Sequence, residues 1–299
     1  MGALPVGWLR KVLPGLSPGE RLEKALAGGW REILLDPHGA SGDREWTGMI
    51  QWIREGPMKV TALQAGPLPL LEESPPLGPG REGPASPSRE GREAALEEIS
   101  RALEWARAAG CPRILVRPGL LPVPEGWMGD LRRPLEDLEE RRSQVEILRE
   151  KTRDQALDRV CRLLHGISLQ AEGALLCLRN GFDLAGLDRA ADLRDLAEDL
   201  GRERVRIWVD TGAATARELA GDEPMGELLE EASPFLEGLS LGDVRPGEAG
   251  LLPGMGRLDL HLVADYLKAP GFRRPWVLEV GLSFGWDGLE LASKSLEGL

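Results

Sequence analysis

Residues 93–119 read EAALEEISRALEWARAAGCPRILVRPG, one complete unit of the pattern that decides the fold. Leu96, Ile99, Leu103 and Ala106 recur at intervals of three and four, while Glu97, Glu98, Arg101 and Glu104 take the other face. That spacing predicts a helix with one buried stripe and one solvated side. Gly110 follows the last turn, where a residue free of a side chain can adopt the left-handed conformation that closes a helix. The chain then runs into Arg113-Ile114-Leu115-Val116, a short β-branched strand.

The same unit of helix, glycine and strand repeats outward from this stretch. Helical Glu20 to Ala27 ends at Gly28-Gly29 before Glu32 to Asp36, and Leu187 to Leu200 ends at Gly201 before Val205 to Val209. Leu258 to Lys268 ends near Gly271 before Trp276 to Val280. Strands at Lys59 to Leu63, Ala174 to Leu178 and Leu236 to Leu241, with a first strand in Leu4 to Trp8, complete the set. Strands alternating with helices imply a parallel sheet. Eight such units in 299 residues favour an α/β fold of the (β/α)8 barrel kind, one domain over residues 1–299, rather than an open sheet. No glycine-rich dinucleotide or P-loop fingerprint follows an early strand.

Two segments break the rhythm. Ala65 to Arg92 is rich in proline and glycine and too long for an ordinary connection. Two readings stand: a lid over the barrel mouth, or a plain surface loop. Leu131 to Gly166 carries many Glu and Arg among apolar residues at helical spacing, which predicts a long or broken helix with a solvated charged face.

Composition narrows the function. With 42% hydrophobic and 29% charged residues the chain reads as globular, and no apolar run approaches a membrane span. Met1 to Gly15 lacks a signal-peptide core, so a cytoplasmic location is expected, with no membrane partner. A net charge of -12 argues against a nucleic-acid partner, because such affinity comes from cations that neutralise phosphates. Cys111, Cys161 and Cys177 suit neither disulfides nor a zinc motif and read as small core residues.

In a barrel of this kind the chemistry sits at the carboxyl ends of the strands. The residues there are Asp36, Gln64, Arg117, Arg179 with Asn180, Asp210, Ser240 with Asp243, and Glu279. Of the three histidines, His38 follows the second strand and has access to the mouth, whereas His165 and His261 fall on helices. For His38 and Gln64, contact with a ligand and simple loop packing both remain open.

Several of these residues lie in phrases that resemble the xylose isomerase-like superfamily of sugar isomerases and epimerases. Arg117-Pro118-Gly119 stands where that family commonly has His-Pro-Gly, and Val209-Asp210-Thr211-Gly212-Ala213 resembles its Asp-Thr-Gly-His. Leu241-Gly242-Asp243-Val244, then Pro253-Gly254-Met255-Gly256-Arg257-Leu258-Asp259, resembles its His-x-x-Asp and Pro-Gly-x-Gly-x-x-Asp; Leu278-Glu279 matches its last-strand Glu. The resemblance implies a divalent cation held by two Glu, an Asp and a His. Of that set only Asp210 and Glu279 are kept, because Arg179 stands at the strand-five Glu, Ser240 at the strand-seven His, and Ala213 at the His after strand six. Two carboxylates alone make a poor metal site, so neither a metal nor another cofactor is expected.

The resemblance thus implies an isomerase or epimerase acting on a small, anionic carbonyl or sugar compound without the usual metal. Glu279 or Asp210 would then be the base, with Arg179 or Arg117 stabilising the anion. The alternative is an inactive relative that binds a small anion or a protein partner, two arginines at one mouth suiting carboxylate or phosphate. Phosphodiester cleavage would need a cluster of His and acidic metal ligands, which the sequence lacks. Arg179 is expected to lie between Asp210 and Glu279 in place of the cation, the competing possibility being that it points into solvent. The sequence names neither the substrate nor the oligomeric state.

Overall fold

The computed structural model describes residues 3–36, 42–65, 83–124, 131, 138–171, 173–268 and 275–289. Eight parallel strands close into a barrel, and the strands follow chain order around it. They are β1 (Ala3–Pro5), β2 (Glu32–Leu35), β3 (Lys59–Gln64), β4 (Arg113–Val116), β5 (Leu175–Arg179), β6 (Val205–Asp210), β7 (Leu236–Leu241) and β10 (Trp276–Leu278). Closure is made by β1, which pairs with β2 on one side and with β10 on the other. Strands β8 (Asp243–Arg245) and β9 (Glu248–Leu251) form a separate antiparallel hairpin, which the sequence pattern does not announce.

Around the barrel lie α1 (Val6–Val12), α2 (Pro18–Ala27), α3 (Asp43–Glu55), α4 (Arg89–Ala109), α5 (Glu139–Ser168), α6 (Ala190–Leu200), α7 (Thr211–Leu219), α8 (Met225–Ala232) and α9 (Leu260–Lys268). The first strand is shorter than the reading from sequence, because α1 begins directly after Pro5 and claims Trp8. Gly110 closes α4 at φ 64°, as its position requires. The buried stripe of α4, however, runs through Ala95, Ile99, Ala102, Leu103, Ala106 and Ala109. Leu96 is 41% exposed at its edge.

Helix α5 takes up Glu139–Ser168 of the stretch expected to be helical, residues 132–137 lying outside the described part, and its charged face is not wholly solvated. Arg149 is buried and Arg153 half-buried, both paired with Asp192 of α6. Cys111 and Cys177 lie in the core and burial raises both thiols, that of Cys111 to about 12. Cys161 is only half-buried on α5.

Residues 66–82 lie outside the described part of the chain, so the lid reading is carried by neither flank. Its end is well anchored: Pro84, Ala85 and Ser86 are buried, and the Ala85 carbonyl accepts a hydrogen bond of 2.9 Å from Arg159 Nε of α5. Among the described residues no helix is long and apolar enough to cross a membrane.

Candidate functional site

Side chains alternate along a strand, so Leu175, Cys177 and Arg179 share one face of β5. Arg179 bonds side chains at the ends of β3 and β10, each separated from β5 by at least one intervening strand, which is possible only through the barrel interior. Its Nη1 donates to Gln64 Oε1 at 3.0 Å. Its Nη2 donates to Asp210 Oδ2 at 2.7 Å and to Glu279 Oε2 at 2.6 Å. The guanidinium is fully buried, and Asp210 and Glu279 are 3% and 4% exposed.

The remaining oxygens are also engaged. Asp210 ends β6 and caps α7, its Oδ1 accepting the Ala213 N–H at 3.1 Å. Glu279 Oε1 accepts from Ser240 Oγ at 2.8 Å, and Ser240 in turn accepts from Trp208 Nε1 at 2.9 Å. Asn180 clasps the backbone of Asp210 from both sides, accepting its N–H at 2.6 Å and donating to its carbonyl at 3.0 Å. Gln64 also donates to the Ala65 carbonyl at 2.8 Å.

Electrostatics follow from this packing. Burial pulls the Arg179 guanidinium down, but Glu279 and Asp210 outweigh it and its pKa stands above the ordinary arginine value. Burial pushes the Glu279 carboxyl up and Asp210 adds to that, with Arg179 opposing. Two carboxylates about 4 Å apart would repel by about 4 kcal/mol at an effective dielectric of 20, so a shared cation is what lets both stay ionised.

The donor set does not fit a divalent cation. One Arg179 nitrogen already stands within hydrogen-bond distance of both carboxylates, and a metal there would face a guanidinium instead of a third ligand. Among the described residues no group of three or more His, Cys, Asp or Glu is arranged to hold a metal ion.

The structure therefore brings Gln64, Arg179, Asn180, Asp210, Ser240 and Glu279 into one hydrogen-bonded cluster. Asp36 is buried at the end of β2. His38 lies outside the described residues, and His165 and His261 are exposed on α5 and α9. Asp243 does something else. Its Oδ1 accepts from the N–H groups of Val244, Arg257 and Leu258, and its Oδ2 from those of Gly254 and Gly256. Five backbone donors leave that carboxylate no room for a ligand, and it organises the loop before α9. Arg117 is half-buried beside the cluster and forms no side-chain hydrogen bond or ion pair among the described residues.

Sequence reasoning missed Trp208, although it lies two residues before Asp210 and hence on the same strand face. It also missed a second buried network behind the loop after β5. There Arg217 of α7, fully buried, pairs with Asp188 and with Asp222 at 2.5 Å, and donates to the Asp183 carbonyl at 2.8 Å. Arg189 joins Asp222 to Glu146. Glu223 Oε1 accepts the Ala190 N–H at 2.8 Å at the start of α6, while its Oε2 is buried without a partner.

A closed parallel barrel with its polar cluster at the carboxyl ends defines the class, a (β/α)8 barrel with an ionic mouth. The model of the xylose isomerase-like TIM barrel family matches residues 62–297, and the chain belongs to that family. Solved structures with the same fold include 3-keto-D-glucoside 4-epimerase from E. coli, at 16% identity and a TM-score of 0.66 over 95% of each chain. L-ribulose 3-epimerase superposes with a TM-score of 0.63 at 18% identity, covering 99% of this chain and 96% of the other. D-psicose 3-epimerase from Clostridium cellulolyticum H10 does so at 0.65 and 14% identity, over 95% and 92%. No curated protein sequence matches the chain.

Proposed function

We propose that this chain binds a small carbonyl or sugar compound at the barrel mouth without a divalent cation, Arg179 supplying the positive charge between Asp210 and Glu279. The observation that carries this reading is the single Nη2 atom shared by both carboxylates at 2.7 and 2.6 Å. The sugar epimerases of the same fold support the substrate class. Binding is favoured over metal-assisted isomerisation because every carboxylate oxygen of the cluster already accepts a protein hydrogen bond. A cluster closed in this way forms a rigid floor, and a ligand would rest above it.

The test is calorimetric binding of neutral sugars, sugar acids and sugar phosphates to protein freed of metal by chelation. Saturable binding that survives chelation, with the bound compound recovered unchanged, is the expected result. Interconversion that requires an added divalent cation would overturn the reading.

One observation favours a second reading, metal-independent proton transfer. Glu279 sits beside Arg179 at 2.6 Å, burial raises its carboxyl against the pull of Arg179, and the guanidinium is a donor that can stabilise a neighbouring oxyanion. Deuterium uptake from heavy water into a bound compound, lost in Glu279→Gln, would select it.

A further inference from the structure

Among the described residues, the arginines packed around the carboxyl ends of β4, β5 and β6 have partners, with one exception. Arg149, Arg153, Arg179, Arg189 and Arg217 are each paired with at least one carboxylate. Arg117, directly after β4, has none among the described residues. Burial works against its charge, and so does Arg179 nearby. Asp188, Glu98 and Asp183 favour it through space; of these Asp188 is paired with Arg217, and the Asp183 Oδ1 accepts the Ala185 N–H at 2.8 Å.

The surroundings hold Arg117 in place without satisfying it. The loops after β4 and β5 are stitched together beside it, Leu187 donating to the Gly119 carbonyl and Leu121 to the Ala185 carbonyl, both at 2.9 Å. Gly181 lies against its stem: a side chain there would begin 3.3 Å from Asp188 Oδ2, 3.4 Å from Arg117 Cδ and 3.7 Å from its Nη1. A side chain at 181 would thus pack on the Arg117 stem and against the Asp188 carboxylate, and the glycine keeps that space free. A planar fork of donors in a partly desolvated site is suited to two parallel hydrogen bonds from a carboxylate or phosphate.

We propose that Arg117 is the specificity-determining residue of the mouth and receives an anionic substituent, carboxylate or phosphate, of the bound compound. This rests on the reading that the mouth binds a small molecule. It adds that the molecule carries a negative charge and presents it to β4, while its neutral part lies over the Arg179 cluster.

The test measures binding of D-gluconate, D-glucose 6-phosphate, inorganic phosphate and neutral D-glucose to the wild-type chain and to Arg117→Gln and Arg117→Lys. Expected are binding of at least one anionic probe, a loss of roughly tenfold or more in Arg117→Gln, and partial recovery in Arg117→Lys, which keeps the charge and loses the fork. Thermal stability of Arg117→Gln should be undiminished, since no partner among the described residues is lost; a fall would assign Arg117 to the scaffold and overturn the inference. If glucose binds as well as the anionic probes and Arg117→Gln changes neither, the inference is overturned while the binding reading stands. If none of the four probes binds the wild-type chain, both are overturned.

Discussion

Arg179 decides what the constellation of Asp210 and Glu279 can hold. With a carboxylate on β5 the mouth would collect negative charge and need a cation; with a guanidinium there the charges of Asp210 and Glu279 are largely met from within. Removing the guanidinium should therefore be costly. Arg179→Ala is expected to lose roughly 3 to 5 kcal/mol of stability in urea unfolding, because two buried carboxylates are left without their partner. Neutralising them as well, with Asp210→Asn and Glu279→Gln in the Arg179→Ala background, should recover part of that loss. An additive triple variant would mean that the three side chains do not act as a unit.

The elements that frame the mouth are held by buried polar groups as much as by apolar packing. Asp243 binds five backbone N–H groups between β8 and the start of α9, and Gly256 approaches it so closely that a side chain there would run into the Asp243 carboxylate and the Val244 carbonyl. Asp243→Ala should cost about 2 to 4 kcal/mol, with amide exchange at Gly254, Gly256, Arg257 and Leu258 rising sharply. Unchanged exchange at these four amides would show that the loop holds itself.

Glu223 sets a pH dependence at the junction of α6 with the turn between α7 and α8. Burial raises its carboxyl from the ordinary 4.5 to about 7, the Ala190 N–H and Arg217 pulling down and Asp222 and Asp188 pushing up. Burial likewise lifts Asp188 from 3.8 to about 6, against Arg217. The folded chain then holds protons that the unfolded chain has released. These two groups accordingly contribute stability below about pH 4 that is lost as pH rises toward about 7. Denaturation midpoints of the wild-type chain should fall across that window relative to Glu223→Gln, whose profile should be flatter. A wild-type profile that parallels Glu223→Gln would remove Glu223 as the source of the dependence.

At the scale of the molecule, much of the barrel was legible because helix-closing glycines and short apolar strands repeat at regular spacing. The order of strand-ending residues was legible for the same reason, and it brought Arg179, Asp210, Glu279 and Gln64 together. What escaped were contacts between residues far apart in sequence and local elements without periodicity. Arg149 and Arg153 look like any solvated helix charges until Asp192 of α6 is packed against them. The hairpin of β8 and β9 has too few residues for an alternating pattern, and Asp243 reads as a ligand until five amides are found around it. Ser240 and Asn180 likewise serve the cluster through Glu279 and the Asp210 backbone.

The central claim is that Arg179 occupies the place of a cation between Asp210 and Glu279, and titration with Mn²⁺ followed by electron paramagnetic resonance tests it most directly. The wild-type chain is expected to bind no manganese at the mouth, whereas Arg179→Glu together with Ser240→His, which supplies two further metal ligands beside Asp210 and Glu279, should acquire a site that Asp210→Asn abolishes. One equivalent of manganese bound tightly by the wild-type chain, and lost in Asp210→Asn or Glu279→Gln, would contradict the claim.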